Sequence, residues 1–127
     1  MDLATQTHLT TLHDLLNYRL TELRAEVHAA QQTRRDADEA VTAEVSDQKD
    51  GAAEQQREGI DIAQEQRDID ELAQVELALK RLDAGTYGNC SDCGESIPLE
   101  RLRVQPAAQR CAVCQVMHER ARGRSAA

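Results

Sequence analysis

The sequence predicts a mainly α protein: a long antiparallel helical hairpin of coiled-coil type, a small four-cysteine knob and a short C-terminal helix. Three observations predict it. Two long proline-free segments carry apolar residues at helical spacing. All four cysteines lie beyond residue 85, in two C-x-x-C pairs. The 127 residues include no Trp or Phe and only two Tyr, Tyr18 and Tyr87, and 30% are charged, so the chain cannot build a large globular core.

The first helix is expected from about Thr7 to Val45. Leu9, Leu12, Leu16, Leu20, Leu23, Val27, Ala30, Ala37 and Val41 recur in steps of three and four, and Arg34 is the one polar interruption. The second helix is expected from about Ala53 to Asp83, with a stripe at Ile62, Ile69, Leu72, Leu79 and Leu82. A connection of six or seven residues forces such helices antiparallel and adjacent. Each alone would be marginal and strongly charged, so burial of the two stripes against each other is what stabilises the pair. Alanines and Arg34 thin the stripe towards the connection, whereas the leucines from Leu9 to Leu23 should pack at the base, against the second helix and the knob. The expected division is a hairpin over 1–84, with its tip at about 46–52, and a knob with C-terminal helix over 85–127.

The tip reads VSDQKDGAAE, from Val45 to Glu54. Ser46 and Asp47 can end the first helix, Asp50 can cap the second, Gly51 can absorb turn geometry, and Glu54 suits a positive helix N-terminus. Equally, Asp47 and Asp50 can project carboxylates from a thin solvated probe towards a cation, an arginine or a metal site elsewhere. One carboxylate can cap while the other points outward.

Charge excludes several functions. The net charge is −8, which argues against a protein whose main task is neutralising phosphates, and the shortage of aromatics removes the stacking platform of single-strand binders. No apolar run approaches the roughly 20 residues needed to span a bilayer, and MDLATQTHLT lacks a basic region followed by an apolar one, so a cytoplasmic protein is expected. From Asp36 to Asp83 there are 15 acids and 5 bases, whereas Glu100 to Ala127 holds 6 Arg and 2 Glu. An acidic rod thus leads to a basic end.

In the knob, Cys90 and Cys93 are followed after seventeen residues by Cys111 and Cys114. Two such pairs supply the four tetrahedral thiolates that zinc takes in a structural site, and the intervening stretch is long enough to fold back. Two disulfides or a redox-active C-x-x-C pair are the competing readings. A reducing cytosol disfavours the first, and the second does not require two matched pairs. With four cysteines bound no position remains for water, so one structural zinc is expected and no enzyme activity. His118 follows Cys114 by four residues and is a weaker candidate ligand; His8, His13 and His28 read as solvated helix residues. Arg101, Arg103 and Arg110 would partly offset the double negative charge of a zinc tetrathiolate. A helix from about Ala112 to Arg122 would lay Val113, Val116 and Met117 against the base of the hairpin.

The run Tyr87-Gly88-x-Cys90-x-x-Cys93-Gly94-x-x-Ile97-Pro98-x-x-Arg101-Leu102-x-x-x-Pro106-x-x-x-x-Cys111-x-x-Cys114-Gln115 resembles the zinc-finger signature of the DksA/TraR family of bacterial transcription regulators. The resemblance covers the second half of the chain in one ungapped register and reaches the tip, where Asp47-Gln-Lys-Asp50-Gly-Ala52 matches the family's D-x-x-D-x-A motif. The first forty residues resemble the family only as a long helix; longer members carry an additional N-terminal segment that this chain largely lacks. The resemblance implies a monomeric factor that binds RNA polymerase directly, without DNA or membrane. Its coiled coil would enter the secondary channel, and Asp47, Asp50 and Ala52 would approach the catalytic magnesium region and alter the stability of initiation complexes. An acidic probe suits a cation-lined pore.

Arg67 stands where the family uses a basic residue in the polymerase contact, although an ion pair with Asp70 at i+3 or Glu71 at i+4 is an equally available role. Where responsive members hold guanosine tetraphosphate with basic residues, this chain has Gln74, Gln105 and Gln115. Glutamine cannot supply charge-assisted phosphate contacts, which puts that response in question. The alternatives in other classes are a zinc-finger DNA-binding protein, against which the acidic rod argues, and a structural or thiol-responsive protein without tip activity.

Overall fold

The computed structural model describes residues 3–43 and 51–126, which form five helices: α1 (Leu3–Thr7), α2 (Leu9–Ala43), α3 (Gly51–Ala84), α4 (Leu99–Val104) and α5 (Ala112–Ala126). The fold is mainly α, a helical hairpin of α2 and α3 followed by a four-cysteine knob and a C-terminal helix. Among the described residues the only β pairing is an isolated antiparallel bridge between Asn89 and Ser96. No helix among them is long and apolar enough to cross a membrane. The expected tip residues Asp47 and Asp50 lie outside the described residues, and Ala52 falls in the first turn of α3.

The first helix begins earlier than its apolar stripe suggests, because α1 precedes it with a single-residue interruption at His8. The His8 backbone N–H donates to Thr5 O at 3.1 Å, a tighter turn than the i−4 pattern, and Leu12 N–H then donates to His8 O at 3.0 Å as α2 takes over. The ring Nδ1 of His8 lies 2.9 Å from Ala4 O.

Residues 1–19 and 74–127 make one compact unit, and residues 20–73 another. In the first, Leu12 and Leu16 of α2 are fully buried, as are Val75 and Ala78 of α3 and Tyr87, Ile97 and Leu102 of the knob. Fully burying each Leu, Ile or Val among them contributes about 1.5–3 kcal/mol. The expectation that the early leucines form the base is met by Leu12 and Leu16 within this unit.

In the second unit Leu23 is fully buried, and the buried positions contributed by α3 are Glu65 and Asp68 rather than isoleucines. This corrects the stripe expected on α3: Ile62 is 51% and Ile69 36% exposed. Among the described side chains of α3 the buried positions are 65, 68, 75 and 78, with 71, 72, 76, 79, 81 and 82 half-buried beside them. Ile62 and Ile69 fall on the flank of that line, where apolar identity alone had placed them in the seam. Glu65 is tolerated inside because Arg34 of α2, the polar interruption of the first stripe, reaches it as an ion pair. Residues 31–40 of α2 are otherwise exposed, in keeping with a seam that thins towards the connection.

The end of α3 has a definite cause. Gly85 takes a left-handed φ of +76°, the conformation that closes helices and that favours glycine. The N–H groups of Thr86 and Tyr87 both donate to Arg81 O, at 2.9 and 3.1 Å. The Arg81 guanidinium then donates to Thr86 O at 3.0 Å and to Asn89 O, binding the chain leaving α3 to the start of the knob.

The C-terminal helix forms over the expected residues and continues to Ala126, but its expected packing is not observed. Val113, Val116 and Met117 are 69%, 44% and 63% exposed. With these three side chains exposed, α5 is tied to the knob through Cys114 in the cysteine cluster rather than through an apolar face.

Candidate functional site

Two short turns carry the four cysteines. Gly88 and Gly94, with φ of +84° and +78°, bracket the first. Cys90 N–H donates to Glu95 O at 2.8 Å, Gly94 N–H to Cys90 O at 3.0 Å, and Ile97 N–H to Gly88 O at 2.8 Å, so the loop folds back over Cys90 and Cys93. Pro98 then starts α4, which anchors Leu102 in the core, and the chain returns through Pro106 to Cys111. Ser91 N–H donates to Gln109 O at 2.8 Å and joins the two turns directly. Cys114 sits in the first turn of α5, its N–H 3.5 Å from Cys111 Sγ.

The sulfur atoms of Cys90, Cys93, Cys111 and Cys114 all lie within 4.8 Å of one another, with Cys93 and Cys111 at 3.9 Å. A tetrahedral zinc with Zn–S bonds near 2.3 Å requires S···S separations of about 3.8 Å. The thiols are free, not paired as disulfides. Their protonation supports the same conclusion. At Cys90 burial pushes the thiol up, but backbone N–H groups of Cys93, Cys111 and Asp92 outweigh it and lower the pKa to about 6. At Cys93 the Glu95 N–H pulls downward, yet the Cys90 and Cys111 thiols prevail and raise it; Cys114 is raised by Cys111 and then Cys90. Four sulfurs this close cannot all be thiolates without a cation among them. The donor set therefore fits zinc, with no position left open for a reactant. His118 is not part of the cluster.

The basic residues around the site divide. Arg110 Nε donates to Asp92 Oδ2 at 2.9 Å, and Arg101 Nε donates to Arg110 O at 3.0 Å, so these two brace the turns. Arg103 does not join them; its Nη2 lies 3.3 Å from His8 Nε2. Asp92 was not singled out by sequence, and the only signal for it is its place inside the first C-x-x-C pair. Tyr87, beneath the first turn, is 1% exposed and donates its hydroxyl to Pro106 O at 2.8 Å. Burial raises its pKa to about 12, against the opposing pull of the Arg81 charge.

Arg67 is exposed on α3, while Asp70 accepts 3.0 Å from Gln66 Nε2. Gln74 and Gln105 are exposed, and Gln115 is half-buried and donates to Glu119 Oε1 at 3.0 Å.

A hairpin of two long helices joined to a C4 metal knob defines a helical zinc-finger protein of a recognisable class. Residues 85–120 match the prokaryotic dksA/traR C4-type zinc finger. The fold is similar to that of transcription factor DksA2 from Pseudomonas aeruginosa, with a TM-score of 0.72 and 29% identity over 95% of this chain and 88% of that one. The RNA polymerase-binding transcription factor DksA of Haemophilus influenzae is 30% identical over 73 residues, 58% of this chain and 50% of the relative. That of Escherichia coli K12 is 28% identical over 94 residues, 69% and 62% respectively. The chain aligns with about half the length of the first of these curated relatives. Residues 85–120 thus carry a zinc finger of the dksA/traR C4 type, and the four cysteines are the site of one structural zinc ion.

Proposed function

We propose that this protein regulates transcription by binding RNA polymerase directly. The observation that carries the reading is the likeness to DksA2 over 95% of the chain, which extends from the zinc knob to the helices; the curated relatives named as RNA polymerase-binding factors support it. The acidic stretch containing Asp47, Asp50 and Ala52 enters the polymerase secondary channel and acts on initiation complexes, and Arg67, exposed on α3, contributes a contact along the way. The role is regulatory rather than enzymatic, exercised as a monomer in the cytoplasm. The chain is acidic overall, which favours a channel lined with cations over a duplex lined with phosphates.

The test is a paired one on an Asp47→Asn, Asp50→Asn double variant. Asn remains a competent helix cap, so stability should change by less than about 1 kcal/mol. Binding to polymerase should persist, and the change in open-complex lifetime at a sensitive promoter should be lost. A double variant that acts on that lifetime as the parent does would mean the aspartates only build the turn. Co-elution with duplex DNA and not with polymerase would replace the reading by the DNA-binding one.

A further inference from the structure

We propose that Arg34 is a positioning residue, whose ion pair with Glu65 sets the register of α2 against α3 in the unit formed by residues 20–73. Apolar packing alone specifies register weakly here. Within this unit Leu23 is the one fully buried hydrophobic residue among those described; further along α2 Val27 and Ala30 are only half-buried and Ala37 is exposed. A charged pair is different, because a buried carboxylate accepts few partners. Glu65 is 6% exposed, and Arg34 is its cationic partner from the facing helix, with a side chain half-exposed to water. Choosing one alignment over its neighbours is the best-attested use of a polar residue in a helical seam.

The competing alignment can be named. Asp68 is the second buried carboxylate of α3, three residues from Glu65, and it accepts a 3.0 Å hydrogen bond from Gln64 Nε2 of its own helix. Sliding α3 by three residues, about 4.5 Å at about 1.5 Å each, would bring Asp68 to Arg34 and leave Glu65 beside Ala37, at the cost of shifting Val75 and Ala78 from their buried positions on the same helix. Two acids one turn apart thus compete for one arginine, and in this structure Glu65 holds it. Under the function proposed above, on which this consequence rests, the pair also sets how Arg67 is presented on α3.

Distance measurement between spin labels on the full zinc-bound chain tests this. Labels go on ketone-bearing amino acids at the exposed positions Ala25 and Asp61, so the zinc thiols are untouched. The parent should give one narrow distance. Glu65→Leu should lengthen or split it by about 4.5 Å as Arg34 moves to Asp68, whereas Asp68→Leu and the exchanged Arg34→Glu, Glu65→Arg pair should keep the parent distance. Helix content by circular dichroism confirms that each variant is folded. A Glu65→Leu chain with the parent distance and width, or an exchanged pair that fails to restore it, overturns the proposal. Open-complex lifetime is then measured on the same proteins: Glu65→Leu should lose the effect and the exchanged pair regain it. A parent without effect on polymerase would sink the proposed function, while the label distances would still decide the register.

Discussion

Tyr87 offers a sharp test of how the knob is held. Its phenol is 1% exposed and donates at 2.8 Å to Pro106 O, nineteen positions further along the chain, joining the start of the knob to the return towards Cys111. Tyr87→Phe keeps the ring and removes only the hydroxyl. One net hydrogen bond is lost, costing about 1 kcal/mol at neutral pH, or roughly 3–6 °C in melting temperature for a chain of this size. The pH dependence adds a second and more specific signature. The folded phenol titrates at about 12 instead of 10 because burial disfavours its anion. The fold therefore prefers the neutral form, the resulting stability is intact below pH 10, and it drains away as pH rises from 10 towards 12. At the alkaline limit the loss is at most about 2.7 kcal/mol, and near pH 11 about 1.4 kcal/mol. Phe has nothing to titrate, so the deficit of the variant should shrink above pH 10 and close or reverse near pH 11. The assay is urea unfolding of zinc-loaded parent and variant by circular dichroism at pH 7, 9, 10 and 11. Parallel decline of the two proteins across that range would refute the reasoning, since it would place the alkaline loss elsewhere.

Two further outcomes follow from the site. A Cys111→Ser chain should lose its zinc and the order of residues 85–120 while keeping much of its helical signal, because α2 and α3 bury side chains that do not depend on the metal; full metal content by mass spectrometry would remove the four-cysteine site. Guanosine tetraphosphate should change the protein's effect on transcription little, since Gln74, Gln105 and Gln115 offer no cation to its phosphates. A strong dose-dependent enhancement through this protein in purified transcription would show the register or the charge argument to be wrong.

Element types and chemistry were legible in the sequence, because both depend on spacing along the chain. Proline-free stretches with three-and-four periodicity become α2 and α3 within a few residues of their expected ends, and the four cysteines converge as the two C-x-x-C pairs require. The early interruption at His8 was not legible, since nothing in LATQTHL but a local hydrogen-bonding choice breaks the helix there. What tertiary structure alone decided is which face of each helix is covered. Ile62 and Ile69 carry the right chemistry for a seam and sit on its flank, while Glu65 and Asp68 carry the wrong chemistry and sit inside. The hydrophobic effect rewards burial without direction, so a stripe read from one helix cannot reveal where the second helix will lie or that Arg34 will be there to receive an acid. Val113, Val116 and Met117 make the same point from the other side: they are apolar and helical, yet exposed. Residue identity and spacing thus settled the metal, the helices and the order in which they come. The pairing of surfaces, which depends on volume and charge contributed by residues far apart in the chain, was settled only when the chain closed on itself.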